Sequence, residues 1–221
     1  MDISNEGRQR RSTWATSGVL LIAAGLLSLP EPLLGGPGGG LGWIPPLLLL
    51  AAALVLAIGF GPTGSVTGRR PLGTAAVVVF AAASLIGALL PLLVPAPSGI
   101  DPASAAASGA LIGSIGLVLA LVALVSGLVA AMGIGRAGVV PRPWNWAPLW
   151  AFVVGALTAI ARYAGPLAAS FGGRSDAAAW NAATGIVDAV AVGLLGVVAV
   201  ALALRGRTAS AAGAADAPAG G

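Results

Sequence analysis

Apolar residues in this chain come in six long blocks, 14–29, 43–60, 72–94, 107–132, 147–167 and 184–204. That spacing constrains the fold more than any single motif does. A helix needs roughly 20 apolar residues to cross about 30 Å of hydrocarbon, and each block reaches or approaches that length. No block alternates polar and apolar residues as a membrane barrel strand would. With 57% hydrophobic and only 8% charged residues, a water-soluble fold would leave large apolar patches bare. The sequence therefore predicts an all-α membrane protein, a six-transmembrane-helix bundle.

The gaps between blocks hold the helix breakers and nearly all the charge. Arg8, Arg10 and Arg11 precede the first block, Arg69 and Arg70 follow the second, Arg136 and Arg142 the fourth, and Arg205 and Arg207 the sixth. The alternate gaps hold Glu31, Asp101, Asp176 and one arginine, Arg174. Nine arginines on one side against one on the other is a positive-inside pattern, and it predicts both termini in the cytoplasm. The expected organisation is a cytoplasmic segment 1–13, a membrane domain 14–204 and a structureless cytoplasmic tail 205–221, whose "RTASAAGAADAPAGG" offers no core. The N-terminus has the charged and apolar regions of a signal peptide, but no small-x-small site follows before Pro30. A retained first helix is expected, in a multi-pass protein of the cytoplasmic membrane. Pro91 predicts a kink or an early end to the third helix.

The net charge of +4 does not point to nucleic acid, because the arginines sit between apolar blocks and form no wet basic face. With no Cys and no His, disulfides, thiolate metal sites, cysteine nucleophiles and histidine bases are excluded. There is no Lys, hence neither a P-loop nor a Schiff base. No cofactor or metal is expected, and the chain reads as a non-enzyme.

Two charges break the pattern by lying inside blocks: Arg162 in "TAIARYAGP" and Asp188 in "NAATGIVDAV". A tight turn near residue 175 would put them at equal depth on consecutive antiparallel helices. Thr158 lies four residues before Arg162, and Thr184 and Asn181 lie four and seven before Asp188. Helical periodicity places each set on one face. A lone charge in a bilayer costs several kcal/mol, so the stripes are expected to meet in a polar seam. Two readings of the seam stand. In one, Arg162, Asp188, Asn181, Thr184, Thr158 and Tyr163 bind a solute in a small transport component. In the other, an Arg162–Asp188 ion pair fixes the helices, and the chain is a non-catalytic accessory or scaffold subunit of a larger membrane complex.

Trp144, Trp146 and Trp150 at the start of the fifth block match an interfacial aromatic belt, as do Trp14, Trp43 and Trp180. Gly109, Gly113 and Gly116, and Gly193 with Gly196, form small-residue faces suited to close helix contact. Their expected partners are other helices of the chain, a membrane protein or a second copy, with lipid around the rest. A loose repeat of three Arg-to-Pro hairpins is visible, and the positive-inside pattern alone would produce it.

Overall fold

The computed structural model describes residues 3–29, 42–60, 65, 70–94, 102–137, 140, 144–170 and 177–215. Within the helices, the side chains of 3–6, 102–103, 105, 162–170, 177–178 and 206–215 lie outside this description. Six α-helices are present among the described residues: α1 (Ile3–Leu27), α2 (Ile44–Ile58), α3 (Pro71–Leu93), α4 (Pro102–Ala137), α5 (Ala147–Ser170) and α6 (Ala177–Ala215). A short 3-10 turn, Trp144–Trp146, leads into α5. No strand occurs among the described residues.

Local sequence explains several of the ends. α2 and α3 carry proline in their first turn, where the missing N–H is no loss. α2 stops at Gly59, whose φ of 72° is open to glycine and strained for other residues, and whose N–H bonds the Val55 carbonyl at 2.9 Å. α3 runs through Pro91 and ends at Leu93, one residue short of the end of its apolar block, so the early stop expected of that proline does not occur. Two ends run further than the apolar blocks. α1 begins at Ile3 and carries its arginines within the helix, while α6 continues to Ala215 through the Ala-rich segment expected to lack structure. Alanine is the strongest helix former, and a helix already nucleated by 27 apolar-rich residues extends through it at little cost.

Each helix packs on its sequence neighbours, and α1 packs on α6 to close a ring. The α1–α6 contact is the most extensive in the molecule. Glycine makes it possible. A Cβ on Gly196 would lie 2.6 Å from the Gly18 carbonyl oxygen and 2.7 Å from the Ile22 nitrogen. One on Gly25 would lie 2.7 Å from the Ala189 carbonyl oxygen. The two backbones touch, as small-residue crossings in membranes allow. Gly127 plays the same part for α4, with a Cβ there falling 2.4 Å from the Phe152 ring of α5 and 3.0 Å from Phe80 of α3.

Side chains are distributed inside out. Most buried apolar residues are alanines, among them Ala24, Ala52, Ala57, Ala81 and Ala131, and the largest fully buried side chains are Thr13 and Ser17. Large apolar side chains face outward: Val19, Leu72, Leu93, Val125, Trp150 and Ile160 are between 59% and 73% exposed. Small residues inside and large apolar ones outside suit a bundle whose solvent is lipid. Four segments are long and apolar enough to cross a membrane, Pro71–Leu93, Ala106–Ala137, Trp144–Ala161 and Ala179–Arg205. α2, at 15 residues, extends about 22 Å and is shorter than a full span.

The arginine-bearing ends gather at one end of the bundle. There, Trp14 is 5% exposed and packs with Val140 and Ala203, with Leu56, Ile134 and Leu202 against them. Residues from α1, α2, α4 and α6 thus close over one indole. The Arg10 guanidinium lies 5.5 Å from its ring centroid. Thr13, fully buried, donates to the Gln9 carbonyl and accepts the Phe60 N–H at 3.0 Å, tying the end of α2 to the start of α1.

Candidate functional site

The α5–α6 hairpin carries the polar seam. Thr158, 7% exposed on α5, donates its hydroxyl to Oδ1 of Asp188, which is half-buried on α6. The same hydroxyl is within reach of the Val154 carbonyl at 3.1 Å and the Gly155 carbonyl at 2.9 Å. One proton serves three acceptors, and the carboxylate is the strongest of them. Thr184, also 7% exposed, lies one turn before Asp188 and bonds the Trp180 and Asn181 carbonyls, each at 3.1 Å. Asn181, one turn earlier, is exposed.

Toward the loop the hairpin is pinned by Trp180, whose Nε1–H donates to the Ala161 carbonyl at 2.8 Å. Pro166 lies within α5 and has no N–H, so the Arg162 carbonyl next to this bond loses its helical donor. The indole thus braces the helix beside its weakest backbone step. Composition alone suggests an interfacial anchor at Trp180; its role as a cross-helix donor depends on the register of the hairpin.

The seam brings together Thr158, Asp188 and Thr184, and leaves Asn181 at its rim. Its register differs from the equal-depth expectation. With Thr158 level with Asp188, Arg162 lies four residues, about 6 Å, nearer the loop. Arg162 and Tyr163 belong to α5, but their side chains, and with them the expected Arg162–Asp188 ion pair, lie outside the described residues. No group of three or more potential metal-ligating residues occurs among the described residues.

Toward the arginine-bearing end α5 and α6 part, and an apolar groove of about 690 Å³ opens between them. Trp144, Trp150 and Val154 line one wall, and Val187, Val190 and Leu194 the other. Nothing in the block pattern announces this groove, because it arises from the angle between two helices. Along α4 the seam toward α5 closes at Gly127 against Phe152, whereas a Cβ at Gly109, Gly113 or Gly116 would meet open space.

The polar contacts described for the seam are all internal to the hairpin. No comparison supplies a relative. No protein-family model matches the chain, and neither a curated protein nor a solved structure is significantly similar to it. The functional reading therefore rests on geometry alone.

Proposed function

We propose that this is a six-span integral protein of the cytoplasmic membrane with both termini inside, acting as a non-catalytic accessory subunit that packs onto another membrane protein. The observation that carries this reading is the glycine face of α4. Glycines at the crossings within the chain, Gly18, Gly25, Gly127 and Gly196, are filled by neighbouring helices, whereas Gly109, Gly113 and Gly116 lie against open space. In lipid, where apolar side chains gain nothing by leaving one another, close backbone approach is a main source of helix association. A one-sided glycine face is suited to receive a helix.

The chain has no cysteine, so Gly113→Cys places a single thiol on that face. Cross-linking in intact membranes should give one dominant product of defined mass. Gly109→Leu with Gly113→Leu should release the partner in mild detergent while leaving the melting temperature of the isolated chain within about 2 °C, because both positions are open. A Gly113→Cys chain that stays monomeric under cross-linking overturns the reading.

A second reading, a small solute transport component, is favoured by the half-buried Asp188 carboxylate on the same helical stripe as the exposed Asn181. Buried carboxylates between helices commonly mark solute or ion paths. Asp188→Asn separates the two: it abolishes uptake in a transporter and leaves partner capture intact in an accessory subunit.

A further inference from the structure

The groove between α5 and α6 has dimensions that choose among occupants. Its α6 wall runs from Ile186 to Val198, about 18 Å along the helix axis. That is a little over half the 30 Å of a bilayer's hydrocarbon, close to the depth of one leaflet. The groove ends within about one turn of the Thr158–Asp188 contact, near mid-depth. A transmembrane helix needs a groove running the whole way. The groove is too short for a transmembrane helix, and it suits acyl chains.

Charge at the open end specifies the headgroup. Arg205 lies seven residues beyond Val198, two turns further along the groove's stripe and about 10 Å deeper toward the arginine-bearing end. It is exposed, at the level where phosphates lie outside the hydrocarbon. On the other wall, Trp144 belongs to the 3-10 turn that meets the end of α4, where Gly135 approaches the Trp146 ring beside the exposed Arg136. Neither 144–170 nor 189–215 contains an Asp or Glu. Arginines and indoles at the mouth of an apolar groove are complementary to an anionic lipid.

We infer that the α5–α6 groove is a binding site for an anionic phospholipid of the leaflet at the arginine-bearing end, with acyl chain along Val190 and Leu194 and phosphate at Arg205. The full chain is reconstituted in phosphatidylcholine vesicles containing phosphatidylglycerol or phosphatidylcholine brominated on the acyl chains. The Trp150 signal is taken as the difference between wild type and Trp150→Phe. Brominated phosphatidylglycerol should half-quench Trp150 at a mole fraction about five-fold lower than brominated phosphatidylcholine. Arg205→Gln, an exposed substitution, should cut that preference to two-fold or less. Ala191→Phe, which fills the groove, should weaken quenching by both lipids. Equal quenching by the two lipids in wild type overturns the site, and so does a preference unmoved by either substitution. A photoreactive group at Val190 that couples to a protein segment in place of lipid overturns it as well.

Discussion

Replacing Thr158 by Val removes the hydroxyl that meets Asp188 and leaves a methyl against a carboxylate. Hydrogen bonds between helices in membranes contribute about 0.6–1.7 kcal/mol each, so Thr158→Val is expected to cost about 1 kcal/mol in a denaturant titration of the detergent-solubilised chain. Thr158→Ser keeps the hydroxyl and should recover most of that. Trp14 makes a different contribution. Its Nε1 is buried with no hydrogen-bond partner among the described residues, so the indole acts through its hydrocarbon and through the overlying Arg10. Trp14→Phe is expected to stay within about 1 kcal/mol of wild type, because the lost packing is offset by removing an unsatisfied N–H. Trp14→Ala should cost about 3–5 kcal/mol by opening a cavity where four helices meet. Thr158, Asn181, Thr184 and Asp188 were legible as a polar set from helical spacing, since i, i+3, i+4 and i+7 share a face whatever the tertiary fold. Which residue meets Asp188 was not legible. A loop of unknown shape separates the helices, and each residue of register error moves the partner by 1.5 Å.

At the level of elements, the six blocks anticipate the six helices closely, because hydrocarbon length and proline or glycine punctuation act locally. The departures occur where the polar or small-residue sequence continues a helix, at Ile3–Arg11 and beyond Arg205. Closure of the ring by α1 on α6 has a sequence trace in Gly18, Gly25, Gly193 and Gly196, but the same composition places Gly109, Gly113 and Gly116 on a face that closes nothing within the chain. Glycine spacing reveals capacity for close contact and not the identity of the partner. Gly196→Ala puts a methyl 2.6 Å from the Gly18 oxygen, backbone that cannot swing away, and is expected to lower stability by about 1–3 kcal/mol. Gly155→Ala, where a Cβ meets nothing within 4 Å, should be neutral or stabilising by up to about 1 kcal/mol, because alanine holds a helix better than glycine. Equal losses at both positions in the same thermal melt would show that the α1–α6 crossing is not close.

At the scale of the whole molecule, Arg8, Arg70, Arg136 and Arg205 are all exposed at one end of the bundle. Reporters active only in the cytoplasm are expected to work at either terminus and to fail when inserted at 95–101 or 171–176. An active reporter in either loop would refute six spans with both ends inside. The sequence by itself determined that the chain is helical, that its helices are apolar enough to suit a membrane and which residues are polar within them, because these follow from local length, periodicity and the cost of burying charge. Only the tertiary structure decided that α1 closes on α6, that Thr158 meets Asp188, that Trp14 seals one end and that an apolar groove parts α5 from α6. Those features depend on crossing angles and register, set by side chains far apart in the chain, and no local pattern encodes them.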